Sequence, residues 1–218
     1  MLTLLPPSEG KVDGIHLNTE WVDELSFNSH LGDRRHMLLK EIGMPIPSLL
    51  VSPAIDIYQG VLYKSLDFRS LPQTKQQVAN SQVIIFSGLF GAIRPLDEIP
   101  NHKHKMRSSD WSDLLPAALS GLESELIVDC RSSTYSSVWR PNPAITVNIR
   151  VFQEISGVRS VITHMSKKYR GELTRALIEG PTLHSPLDLS QRAIELFETQ
   201  LHPPASGKPW ILDLIIGS

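Results

Sequence analysis

Four consecutive apolar residues, Val83-Ile84-Ile85-Phe86, constrain this chain more than any other segment. A strand with no polar position presents apolar side chains to both faces of its sheet, so both faces have to be covered. Ser87-Gly88 closes the run, and the expectation is a central, fully buried strand. Leu2 to Leu5 forms a second short apolar run, stopped by Pro6-Pro7, which reads as another buried strand leading into a loop at Ser8-Glu9-Gly10-Lys11.

Around these two strands the periodicity sets out further elements. Asn18 or Thr19 is placed to cap a helix through Trp21, Val22 and Leu25, which restarts near Leu31 and ends at Gly43 and Pro45. Residues 46–53 read as a loop, Ala54 to Tyr63 as a broken strand in which Ile55, Ile57 and Val61 alternate with polar positions, and 70–81 as a short helix. The pattern continues with a helix over 110–120, strands over 125–130, 144–154 and 158–165, and a helix from Ser166 to Glu179 closed by Gly180-Pro181. A helix over 188–200 and an apolar strand from Trp210 to Ile216 follow. No repeat or linker interrupts the series, so the expected fold class is α+β or mixed α/β, one domain over residues 1–218 with a mixed central sheet.

Composition narrows the function classes. With 41% hydrophobic and 20% charged residues in 218, the chain has ample material for a core and lies far from disordered compositions. Its 21 Lys and Arg against 23 Asp and Glu leave a net charge of -2, which excludes a uniformly basic nucleic-acid binder. The charge is unevenly spread: residues 1–130 carry 11 basic and 16 acidic side chains, 131–175 carry 8 and 2, and 176–218 carry 2 and 5. A strongly basic block therefore lies inside an acidic chain. Cys130 is the only cysteine and has no internal disulfide partner. The N-terminal apolar run is shorter than the ~7–15 residues of a signal peptide's apolar region, and no stretch reaches the ~18 apolar residues of a membrane span. A cytoplasmic protein is expected.

Several segments carry chemistry-bearing residues. In Ser87-Gly88-Leu89-Phe90-Gly91-Ala92-Ile93-Arg94-Pro95-Leu96-Asp97, two glycines three apart leave a buried strand and permit a tight turn or a close ligand approach. Arg94 offers a planar guanidinium for phosphate or carboxylate; the plainer reading pairs it with Asp97. Ser8-Glu9-Gly10-Lys11 lacks the glycines of a phosphate loop, yet Glu9 suits an acid or base and Lys11 a cation at a pocket edge. Asp56 and Tyr58, with Tyr63 nearby, share one face if the segment is a strand. His102 and His104 alternate with Lys103 and Lys105, which fits a solvated basic strand better than a metal site. Cys130 reads as a small core residue. Lys167, Lys168, Arg170 and Arg175 lie along one helix, and Arg131, Arg140, Arg150 and Arg159 extend the basic block.

Taken together, the opening Leu-Leu-Pro-Pro-Ser-Glu-Gly-Lys, the Asp56-x-Tyr58-x-Gly60-Val61-x-Tyr63 stretch, the 87–97 element and Lys167-Lys168-Tyr-Arg170-Gly171 with Arg175 resemble the YaaA family of peroxide-stress-response proteins. The resemblance spans residues 1 to about 180, and the 87–97 element is its specific part. It departs where a Ser-Pro-Ala-Lys-Thr opening becomes Pro-Pro-Ser-Glu-Gly-Lys, and where an Asn-Leu-Ala-Ser-x-Glu-Tyr element becomes Asp129-Cys130-Arg131-Ser132-Ser133-Thr134-Tyr135, without the glutamate. The resemblance implies a cytosolic protein that limits iron and peroxide damage and binds DNA through a positively charged cleft in an α/β fold.

The leading expectation is therefore largely sequence-independent DNA binding. Lys11, Arg94, Arg131, Lys167, Lys168, Arg170 and Arg175 would meet phosphates, Tyr58, Tyr63 and Phe90 would stack on bases or support the cleft, and Gly88 and Gly91 would shape it. The alternative is an enzyme that takes a nucleotide or a nucleic-acid base in the same cleft, with Glu9 or Asp97 as acid or base. Neither a metal nor a cofactor is expected, and dispersed histidines argue against iron sequestration.

Overall fold

The computed structural model describes residues 1–122, 126–162 and 165–217. The chain starts with β1 (Leu2–Leu5) and β2 (His16–Leu17), then α1 (Trp21–Glu24), α2 (Asn28–Glu41), β3 (Leu50–Pro53), α3 (Ala54–Ile57), α4 (Val61–Leu66) and α5 (Gln73–Gln82). Its centre holds β4 (Val83–Ser87), β5 (Gly91–Ile93), β6 (Glu98–Pro100), α6 (Ser108–Trp111), α7 (Leu115–Leu119), β7 (Ile127–Asp129) and α8 (Ser133–Ser136). Last come β8 (Thr146–Ile155), β9 (Val158–Val161), α9 (Ser166–Glu179), α10 (Pro186–Ile194), β10 (Glu198–His202) and β11 (Trp210–Gly217).

Among the described residues, one large sheet runs in the order β10-β11-β8-β7-β1-β4-β5, with β9 paired to the end of β8. The four pairings from β11 to β4 are parallel, and β5, β9 and β10 are antiparallel additions. A small antiparallel sheet, β2-β3-β6, sits apart. The fold is thus a mixed α/β arrangement around a mixed sheet, as the sequence led one to expect. Every residue of β1 and β4 is buried, and each large apolar side chain so placed contributes about 1.5–3 kcal/mol.

Elsewhere the structure departs from the sequence reading. Ala54 to Tyr63 is not a broken strand: it forms α3 and the start of α4, while the preceding strand β3 lies inside the segment expected to be a loop. Helices of four to six residues are too short to show a 3.6-residue period, so alternating Ile55 and Ile57 mimic a strand. Asp56 and Tyr58 consequently do not share a strand face; Asp56 pairs with Arg69 at the surface and Tyr58 is buried. The helix expected over 110–120 is two short ones, α6 and α7. The helix expected over 188–200 ends at Ile194, and Glu198–His202 instead pairs with β11. The parts of the expected 125–130 and 158–165 strands that fall on residues 125 and 163–164 lie outside the described residues.

Helix α9 packs closely on α4 because Gly171 has no side chain. A Cβ there would sit 2.3 Å from the Leu62 carbonyl oxygen and 2.9 Å from Ser65 Cβ. Alanine would gain up to ~1 kcal/mol of helix propensity over glycine, but forcing a methyl against a backbone wall costs about 1–3 kcal/mol. Gly171→Ala is expected to lower the midpoint of chemical denaturation, read by circular dichroism.

Candidate functional site

The carboxyl ends of β1, β4 and β7 lie side by side, and their exit loops enclose a cavity of about 530 Å³. Parallel α/β sheets place ligands at this position, where crossovers leave the central strand in opposite directions. The wall includes Ser8, Glu9 and Lys11 after β1, Gly88 after β4, and Ser132, Thr134 and Tyr135 after β7; residues 102–106 close the remaining side.

The first loop is fixed from outside. Pro6 and Pro7 donate no backbone hydrogen bond and end the strand. The Gln59 amide donates to the Gly10 carbonyl (2.9 Å) and the Val12 amide to the Ile57 carbonyl (3.0 Å), so Lys11 is pinned beside Tyr58 in an antiparallel bridge. Gly60 permits this, since a Cβ there would stand 2.3 Å from Ser8 Oγ. Lys11 Nζ lies 5.6 Å from the centre of the Tyr58 ring. Among the described residues, no carboxylate reaches it within 4 Å. Burial lowers its pKa and the Glu9 charge partly offsets this.

Under the cavity sits a polar core. Ser87 Oγ accepts the Phe90 amide (3.3 Å) and lies 3.4 Å from His102 Nε2. The Tyr58 hydroxyl faces Ser87 without completing hydrogen-bond geometry, and burial pushes that phenol well above its usual range. His102 is held neutral: burial first, then Lys11 and His104, bring its pKa to about 3. Its Nδ1, together with Ser8 Oγ, the Tyr58 hydroxyl and His104 Nε2, is buried without a hydrogen-bond partner among the described residues. Three of these groups, on Ser8, His102 and His104, belong to residues that line the cavity, which is unusual because nearly all buried polar groups in proteins are paired.

The structure redistributes the sequence-derived site residues. Glu9, Lys11 and Gly88 reach the cavity, and Lys167 stands in an adjoining groove across the Pro7–Glu9 loop. Arg131 does not face solvent: its side chain is fully buried, forks onto Asp129 (2.9 and 2.7 Å), donates to the Tyr135 and Trp139 carbonyls, and stacks on Phe86 at 4.2 Å. Arg94 donates to the Asn80 and Ser81 carbonyls, Arg170 to those of Cys130 and Ile149, and Arg175 to those of Leu66 and Asp67. Lys168 leans toward Glu172 along its own helix (3.7 Å), and Arg150 and Arg159 pair with Asp213 and Glu154. Arg140 borders a different cavity.

Asp97, a candidate acid or base, accepts from the Ser26 amide and hydroxyl and from the Arg94 amide, and so fastens two loops. Tyr58, Tyr63 and Phe90 are buried and present no face to a base: Tyr63 donates to the Pro6 carbonyl (2.7 Å), and Phe90 packs edge-on to Trp21 and His102. Gly88 and Gly91 make room for the chain itself, at the Lys105 backbone and the Trp111 ring. The His102–Lys105 stretch is a loop with a buried histidine rather than a solvated strand. The site residues not singled out as such from sequence are Ser8, Ser87, His102, Lys103, Lys105 and Tyr135; the faint signal for them was adjacency to strand ends. Cys130 is buried, and burial raises its thiol pKa to about 12. Among the described residues, no three of His, Cys, Asp and Glu group to hold a metal, and no helix is long and apolar enough to cross a membrane.

Fold and cavity together define a mixed α/β protein with a polar, lysine-bearing pocket at the ends of its parallel strands. The chain belongs to the family described as peroxide stress protein YaaA, whose model matches residues 19–200. Among its relatives, a UPF0246 protein of Streptomyces coelicolor is 31% identical over 183 residues, covering 75% of this chain and 68% of the relative. A UPF0246 protein of Corynebacterium glutamicum is 32% identical over 213 residues, covering 81% and 84%.

Two outcomes are expected. Arg131→Met leaves Asp129 buried without its partner and should cost about 3–5 kcal/mol of stability in denaturant titrations. For His102, the folded pKa (about 3) lies below the ordinary 6.5. The unfolded chain therefore binds the extra proton, and stability is lost as pH falls from 6.5 toward 3. His102→Asn should reduce the slope of unfolding free energy against pH in that window by up to about 1.4 kcal/mol per pH unit.

Proposed function

We propose that the protein serves in the response to peroxide by binding DNA, largely without regard to sequence, along a basic crevice centred on the strand-end pocket. The observation that carries this reading is the convergence of Lys11, Lys103 and Lys105 on one cavity, with Lys167 in the groove beside it. Lysines that reach no carboxylate among the described residues suit sequence-independent phosphate contact, because they act as point charges and release counterions from the polyanion. The arginines of the basic block, engaged with backbone carbonyls and carboxylates, are braces in this reading. An acidic shell, at a net charge of -2 overall, restricts a polyanion to the crevice. The reading carries a cytoplasmic location and a limit on iron- and peroxide-driven damage to the covered DNA.

A second reading, an enzyme that takes a nucleotide or a nucleic-acid base in the same pocket, is favoured by the unpaired Ser8 Oγ and His102 Nδ1. A buried polar group left bare costs about 1–3 kcal/mol, which a hydrogen-bonding ligand would return.

Duplex and single-stranded oligonucleotides titrated at several salt concentrations test the DNA reading. Affinity should fall linearly with log salt concentration, and the double variant Lys103→Ala, Lys105→Ala should make that slope shallower by about 2 for all sequences. Absence of binding at low salt, or a slope untouched by the variant, defeats it.

A further inference from the structure

We propose that Lys11 is a nucleophilic amine that condenses with the aldehyde of a phosphorylated sugar held in the strand-end pocket. The proposal rests on the polyanion reading only for the position of the phosphate, which falls to Lys103 and Lys105.

Several observations single out Lys11. It lies, partly buried, on the wall of a cavity that opens to solvent. Its backbone is clamped by hydrogen bonds on either side, from Gln59 to Gly10 and from Val12 to Ile57, so its side chain issues from a fixed point. Lys168, Arg131, Arg150, Arg159 and Arg175 each reach a carboxylate within 4 Å, whereas Lys11, like Lys103, Lys105 and Lys167, reaches none among the described residues, and its ammonium sits over the Tyr58 ring. Partial burial favours the neutral amine over the ammonium. The groups that imine chemistry needs are in the same wall. Glu9 is close enough for its charge to act on Lys11, and the His102 imidazole, kept neutral, is close enough to feel the Lys11 charge. The cavity, at about 530 Å³, is far larger than a phosphate alone requires.

The step balances without an added oxidant or reductant. The Lys11 amine adds to the aldehyde carbon, C–N forms, the carbonyl π pair moves to oxygen, and Glu9 carries one proton from the nitrogen to that oxygen. The hydroxyl then departs as the nitrogen lone pair closes C=N, and the second nitrogen proton, relayed by Glu9, completes the water. Water reverses the sequence and frees Lys11.

Borohydride reduction freezes such an imine as a secondary amine. The full-length protein is incubated separately with 2-deoxyribose 5-phosphate and with a duplex containing one abasic site, reduced, digested and mapped by mass spectrometry. The expected result is a reduction-dependent adduct on Lys11, with loss of that adduct in Lys11→Arg. The arginine keeps the charge and cannot form the imine, so its loss separates nucleophilic from electrostatic roles. Circular dichroism confirms that the variant is folded, and Lys11→Met serves if it is not. An adduct with the free sugar phosphate in a protein that fails to bind DNA leaves this proposal standing and defeats only the DNA reading. An adduct with abasic DNA alone identifies DNA as the source of the aldehyde. No adduct on Lys11 with either substrate, or labelling spread evenly over Lys11, Lys64, Lys167 and Lys208, overturns the proposal.

Discussion

The strand-end pocket follows from how completely β1 is enclosed. Both of its edges are hydrogen-bonded in parallel, to β4 and β7, and both of its faces are buried. A strand with no free edge and no wet face can only leave the sheet at its end. The two prolines then turn the chain out over the ends of its neighbours, and Ser8, Glu9 and Lys11 are carried into the space between three exit loops.

Arginine and lysine divide the labour in a way that net charge conceals. The guanidinium offers several donors in a rigid fork, which suits carbonyls left without partners at helix ends and in loops. Arg35, wholly buried, donates to the carbonyls of Ser26, Phe90 and Ala92, and burial lowers its pKa to about 10. Arg175 closes the end of α4 and Arg192 reaches the Ala176 carbonyl of α9. Arg131 holds the loop that walls the pocket through its forked pair with Asp129. The residues that made residues 131–175 look like a phosphate-binding surface are largely this scaffold, whereas Lys11, Lys103 and Lys105 at the strand ends reach no carboxylate among the described residues.

Much of the architecture was legible in sequence because burial on two faces leaves a plain mark. The runs at 2–5, 83–86 and 210–216 all proved to be strands of the large sheet, and α9 spans Ser166–Glu179 as its spacing indicated. The errors have a common physical origin in short or amphipathic segments. Four-residue α3 shows no helical period, and Glu198–His202 is a strand because β11 offers it an edge to pair with. The site was legible in part: Glu9, Lys11 and Gly88 reach the cavity, while Tyr58 and Phe90 lie beneath it as packing.

The sequence by itself determined the fold class, the two buried strands and the family to which the chain belongs, because apolar runs and the Ser87–Asp97 element are local properties. Only the tertiary structure decided which charges are free and which are braces. A guanidinium near a carboxylate or carbonyl is decided by partners tens of residues away, as with Arg35 and Phe90 or Arg175 and Leu66. The neutrality of His102 has the same kind of cause, since it depends on burial among Ser87, Phe90 and Lys11, and nothing in His-Lys-His-Lys encodes that enclosure.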